Sequence, residues 1–119
     1  MKARLRVRRR SEFHSAISGK RFHSGRALVG FAVPSDGPES RVGVTVSKSV
    51  RSSVERNRAR RRLREAARLS LLAPDSPLRQ GGIRYDVVLI ARPAALEVSF
   101  ADLKAEAGEA ALRLARFKP

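Results

Sequence analysis

Apolar and polar positions alternate along this chain with two different periods, and the switches between them mark out the elements. In residues 1–10 (MKARLRVRRR), Leu5 and Val7 alternate with basic residues, a pattern that reads as an extended basic arm. Ser11 suits a helix N-cap with Glu12 in the first turn, and Phe13, Ala16 and Ile17 recur at i, i+3 and i+4. A short helix is therefore expected over residues 11–18, ended by Gly19. Residues 26–33 (RALVGFAV) read as a strand, with an extra short strand expected near Phe22, and the breakers from Pro34 to Pro38 form a loop. Val42, Val44 and Val46 alternate in a further strand over residues 41–47.

The period then changes from two to 3.6. Ser52 and Glu55 have capping-box spacing, and residues 54–72 run without Gly or Pro until Pro74 closes the longest helix. Residues 78–84 contain glycines and read as a linker. The nearly continuous apolar run YDVVLIA, 85–91, predicts a buried strand that stops at Pro93. Residues 99–117 open with Ser99-x-x-Asp102 and continue with Ala and Leu at helical spacing. The predicted order is α-β-β-β-α-β-α, an α+β sandwich with helices packed on one sheet in a single domain spanning 1–119.

Charge changes this picture more than any other feature. Lys and Arg total 26 against 11 Asp and Glu, a formal net charge of +15, so a compact domain would repel itself without a polyanionic partner. The surplus is concentrated in residues 48–68 (KSVRSSVERNRARRRLREAAR). On a helix advancing about 100° per residue, Ala59, Leu63, Ala66, Ala67 and Ser70 share an apolar sector. Arg58, Arg60, Arg61, Arg62, Arg64 and Arg68 spread over the remaining circumference, while Arg56 projects into the apolar sector only in the first turn. Glu55 and Glu65 can pair with only a fraction of these arginines, so the helix reads as a phosphate-binding surface. Guanidinium suits that task because its planar fork grips phosphate bidentately and stacks on bases. Asn57, between two arginines, can both donate and accept.

Other chemistries find little support. With no cysteine, disulfide frameworks, thiolate zinc sites and thiol nucleophiles are excluded, and a reducing cytoplasm is the expected compartment. No apolar run approaches a membrane span, the opening residues lack a secretory apolar stretch, and the basic helix opposes an alanine face rather than the Trp, Phe and Leu of a membrane-surface helix. Glu106 and Glu109, three apart, read as ordinary helix surface. His14 and His23, flanked by Lys and Arg, lack carboxylate partners in the sequence. No serine sits in a nucleophile elbow. No protein active site and no protein-bound metal are expected. A helix-turn-helix reader would need two helices joined by a tight turn, whereas the long helix is flanked by strands. A basic ribosomal protein binding rRNA fits the charge equally well.

The ordered motifs separate these nucleic-acid readings. The stretch from Val54 to Glu65 (VERNRARRRLRE) resembles the Arg-Asn-Arg signature helix of the bacterial ribonuclease P protein subunit family. The preceding Arg41–Lys48 (RVGVTVSK) resembles the strand entering that helix, Tyr85–Pro93 resembles the family's last strand, and the Arg-rich arm with Phe13 resembles its opening. The resemblance implies a small α/β sandwich with a left-handed β-α-β crossover, against the usual hand. It implies a component of an endoribonuclease that removes the 5′ leader of precursor tRNA, in which the partner RNA and its Mg²⁺ ions perform the hydrolysis. The implied partners are the catalytic RNA and precursor tRNA, with no further protein and no membrane. Lys48, Arg51, Arg56, Asn57, Arg58, Arg60, Arg61, Arg62, Arg64 and Arg68 are the implied RNA-binding residues, and Phe13, Ile17 and Phe31 the implied leader-binding cleft. The chain departs from the family at Lys48-Ser49-Val50-Arg51, where a second Lys and a Gly-containing turn are usual, and at Ile17, a position commonly aromatic.

Overall fold

The β-branched alternation builds one four-stranded sheet in the computed structural model, which describes residues 5–7, 17–35, 37–80 and 84–117. Its strands are β1 (Lys20–Ser24), β2 (Leu28–Pro34), β3 (Arg41–Val46) and β4 (Tyr85–Ala91), in spatial order β1-β2-β4-β3. β1 is the short strand expected near Phe22. The β1–β2 and β2–β4 pairs are antiparallel, with Phe31 opposite Val88, and β3 runs parallel to β4 with Val44 opposite Leu89. β2 starts two residues later than its pattern predicts and takes in Pro34.

A parallel neighbour requires a crossover. Here it runs through helix α1 (Ser53–Ser70) and the four-residue α2 (Pro77–Gln80), the β-α-β unit to which the family expectation applies. α2 lies where a linker was expected. A 3-10 turn (Pro93–Leu96) then leads into α3 (Phe100–Ala115). Both long helices start as their sequences predict, with Ser52 accepting from the Glu55 N–H and Ser99 from the Asp102 N–H. The result is the expected α+β arrangement, a sheet with two long helices in a second layer. Residues 11–16 of the first predicted helix, Phe13 among them, lie outside the described residues, while Ile17 is helical.

The core lies between sheet and helices. Leu28 and Ala32 of β2, Val42, Val44 and Val46 of β3, and Val87, Leu89 and Ala91 of β4 pack in one cluster with Ala59, Leu63, Ala66 and Ala67 of α1 and Leu103, Ala107, Ala110 and Leu114 of α3. Alanine on both facing helices lets their backbones approach, which compensates for the shortage of large aromatics. A β-bulge between Arg21 and His23 turns two successive residues, Phe22 and His23, inward. Phe22 covers Gly30, where a Cβ would stand 2.5 Å from its ring. Phe117 packs its ring against Phe22 and Tyr85, with centroids 6.1 and 5.9 Å apart, tying the end of α3 to the sheet.

Two further features shape the molecule's edges. The arm is anchored, because Leu5 and Val7 are buried, Arg6 forms a parallel bridge with Val42, and the Val7 N–H donates to the Val42 carbonyl at 3.2 Å. On the opposite face of the sheet, Val29, Phe31, Val33 and Ile90 are half-buried around a fully buried Val88. The fork of Arg41 donates to both oxygens of Asp86 on β4, at 3.0 and 2.7 Å.

Candidate nucleic-acid interface

α1 carries seven arginines and two glutamates, and its packed stripe of Ala59, Leu63, Ala66 and Ala67 determines where they point. Opposite that stripe, in the sector centred about 180° away, stand Val54, Asn57, Arg58, Arg61, Glu65 and Arg68, all exposed. Arg60 and Arg64 flank the stripe on one side and Arg62 on the other, all three half-buried. Lys48 and Arg51 are exposed in the turn that enters the helix.

The arginines therefore divide by what they bond. Arg58, Arg61, Arg51 and Lys48 make no side-chain hydrogen bond or ion pair among the described residues. Arg60 donates to the Asn57 Oδ1 at 2.9 Å, so the amide orients a neighbouring guanidinium. Arg68 is paired with Glu65 one turn back, through a 2.5 Å contact between Nη2 and Oε1. That hydrogen bond, the largest influence, holds the Glu65 carboxyl below its ordinary range and raises Arg68.

Two of the arginines expected to bind RNA also bond within the protein. Arg56 does turn toward the apolar side, and there its fork donates to three main-chain carbonyls: Ser47 and Val50 at 2.9 Å each and Val46 at 3.2 Å. Arg62 donates from Nε to the Ala95 carbonyl at 3.0 Å and from Nη2 to the Val98 carbonyl, tying α1 to the segment before α3. Helical spacing counts Arg62, on the polar arc, as free, whereas carbonyls 33 and 36 residues away claim it; those that hold Arg56 lie 6–10 residues back.

Val54, Asn57, Arg60, Arg61 and Arg64 line an open basin of ≈ 480 Å³ on the flank of α1. Arg64 is crowded there. Burial first, and then repulsion from Arg6 and Arg60, pulls its guanidinium below the ordinary arginine value, and its Nε is buried with no partner among the described residues. Arg6 belongs to this group because the arm pairs with β3, a placement that its position in a basic run does not reveal. An anion in the basin would offset the crowding.

Of the cleft residues, Phe31 lies half-buried on the sheet face away from α1 and α3, Ile17 is 39% exposed, and Phe13 falls outside the described residues. The described residues do not place all three together.

The reading of Glu106 as surface and of His23 as lacking a carboxylate is corrected by the fold. His23, 2% exposed, places Nε2 3.0 Å from the Glu106 Oε2. The same carboxylate accepts the N–H groups of Ala27 at 2.9 Å and Leu28 at 3.0 Å. Gly25 is required beside it, since a Cβ would lie 2.5 Å from Glu106 Oε2 and 2.6 Å from His23 Nε2. Residues 83 positions apart meet only through tertiary packing. By accepting from both residues, Glu106 holds the β1–β2 turn. Glu109 is on the surface as expected, paired with Arg113 one turn on.

Among the described residues no three His, Cys, Asp or Glu side chains are grouped to hold a metal ion. Mg²⁺ takes oxygen ligands, and on the outer face of α1 the Asn57 amide oxygen and the Glu65 carboxylate already accept from Arg60 and Arg68. No described helix is long and apolar enough to cross a membrane.

Comparison with known proteins gives a consistent result. The Ribonuclease P family model matches residues 1–115. The ribonuclease P protein component of Dehalococcoides mccartyi is 39% identical over 104 residues, covering 87% of this chain and 79% of the relative. That of Symbiobacterium thermophilum is 39% identical over 110 residues, covering 92% and 90%. In fold, the chain is similar to the RNase P proteins of Staphylococcus aureus (TM-score 0.69, 22% identity, 97% of each chain) and Thermotoga maritima (TM-score 0.65, 24% identity, 96% and 98%).

Proposed function

The chain belongs to the ribonuclease P protein family and is a protein subunit of ribonuclease P in tRNA processing; from that premise we propose that the outer face of α1 binds the enzyme's RNA while the RNA performs the cleavage. The observation that carries this reading is the set of outward guanidiniums at Arg58 and Arg61, without internal partners among the described residues, beside the basin of Arg60 and Arg64. Backbone phosphate supplies the missing counter-charge. Each planar fork donates to two phosphate oxygens, and the exposed Val54 offers an apolar rim to a ribose or base.

Lys48 and Arg51 extend the same surface from the entering turn, and Arg68 continues it while partly neutralised by Glu65. Arg56 and Arg62 are assigned to the protein's own main chain. Phe31, on the far side of the sheet, is assigned together with Ile17 and Phe13 to the single-stranded 5′ leader of precursor tRNA. Phe31 there offers a ring for base stacking, worth about 1–3 kcal/mol per base.

The protein's contribution is positioning and charge neutralisation. By holding leader and catalytic RNA on two sides of one sheet, it lowers the repulsion between two polyanions where the bond is cut. The Mg²⁺ ions that activate water are assigned to the RNA, and the assembly to the cytoplasm. The match over residues 1–115 disfavours the ribosomal alternative. Cleavage of precursor tRNA by RNA alone, protein alone and both together tests the assignment at low Mg²⁺. Cleavage is expected only where the RNA is present, and faster with protein; cutting by the protein alone would refute it.

A further inference from the structure

We propose that Arg56 is a positioning residue that supports RNA binding indirectly, by shaping the β3–α1 turn that presents Lys48 and Arg51. The inference rests on the reading of this surface as an RNA interface.

The turn has little else to hold it. Past β3, the Ser47 N–H still reaches the Ala91 carbonyl at 2.9 Å, and the Val50 N–H closes a turn onto the Ser47 carbonyl at 3.1 Å. The Ser47 hydroxyl lies 2.8 Å from that of Ser49. Lys48, Ser49 and Arg51 are exposed, and only Val50 is buried. No glycine stands among residues 47–52, and side chains add to the backbone's hold on the turn.

Arg56 supplies that support from the first turn of α1. One guanidinium nitrogen bridges the Ser47 and Val50 carbonyls, the two ends of the turn, and the other takes the Val46 carbonyl at the end of β3. The fork thus fixes the turn to strand and helix at once, and its charge is directed into carbonyl dipoles rather than toward solvent. Lys48 lies within the clamped segment and Arg51 directly follows it, both exposed. Without Arg56, three carbonyls lose a cationic donor and the two outward cations lose a fixed separation.

The test is a mutant cycle between Arg56→Ala and the double variant Lys48→Ala/Arg51→Ala. Affinity for ribonuclease P RNA and its salt dependence are measured at a temperature where circular dichroism shows each variant folded. Arg56→Ala is expected to weaken binding about tenfold in the native background and hardly at all once Lys48 and Arg51 are gone. A full tenfold loss in both backgrounds, with the logarithmic salt slope falling by a further ~0.7, means that Arg56 grips phosphate itself and overturns the proposal. Should Arg56→Ala fail to fold, Arg56→Gln keeps an uncharged N–H donor for the carbonyls. A native salt slope in that variant supports positioning, and a loss of ~0.7 refutes it. If Lys48→Ala/Arg51→Ala binds RNA like the native protein, the positioning role falls. The broader reading of α1 then still stands or falls with Arg58 and Arg61.

Discussion

α1 and α3 are built alike and use their charges in opposite ways. Each starts at a serine cap, lays an Ala/Leu stripe on the same sheet and packs against the other. α3 carries Lys104 and Arg113 against Asp102, Glu106 and Glu109, and two of its carboxylates are engaged within the protein, Glu106 by the β1–β2 turn and Glu109 by Arg113. α1 carries seven arginines against two glutamates, and after Arg56, Arg62 and Arg68 find internal partners a surplus still faces outward. Since α3 shows that a helix can sit on this sheet without such a surplus, packing does not explain it. The outward arginines are therefore the surface we propose to meet a polyanion.

The largest effect expected from breaking this contrast is on the α3 side. Glu106→Ala removes the acceptor of two N–H groups and the partner of a buried histidine, so stability should fall by about 3 kcal/mol. Chemical denaturation measures that loss, and the salt slope of RNA binding by the folded variant should stay native. Arg62→Ala comes next, at about 2 kcal/mol for two charge-assisted bonds to carbonyls. It should lower the melting temperature with little change in salt slope; a native melting temperature would mean that those bonds do not hold α1 to the segment before α3.

The smallest effect is expected at Glu65. Its folded carboxyl titrates below the ordinary value because Arg68 hydrogen-bonds to the charged form. The pair's contribution is therefore present above the unfolded carboxylate value and is lost as pH falls through the lower folded one. Both side chains are about half exposed, so solvent screens the pair. Comparing acid unfolding of the native protein and Glu65→Gln should show only a slight difference, confined to that acid window.

How much of this was legible in the sequence depended on distance along the chain. β4 could be read to the residue, because a seven-residue run between Arg84 and Arg92, apolar except for Asp86, admits few alternatives. The packed stripe of α1 followed from its 3.6 period, and both serine caps from their spacing to Glu55 and Asp102. α2, with four residues, is too short to show a period, and the 3-10 turn follows Pro93 without an apolar pattern of its own. Within the site, the exposure of Arg58 and Arg61 followed from helical angle alone. The commitments of Arg56 and Arg62 did not, although the placement of Arg56 on the apolar side was a usable signal. The meeting of Glu106 with His23, and of Arg6 with Arg64, depends on which strands pair, which no local pattern records.

The contrast between the helices is tested most directly by the salt dependence of binding to ribonuclease P RNA in two double variants. Arg58→Ala/Arg61→Ala removes two outward cations from α1, and Lys104→Ala/Arg113→Ala removes two from α3. The logarithmic slope should fall by about 1.4–1.8 for the first pair and stay native for the second. Equal losses from both helices, or none from α1, would contradict the account.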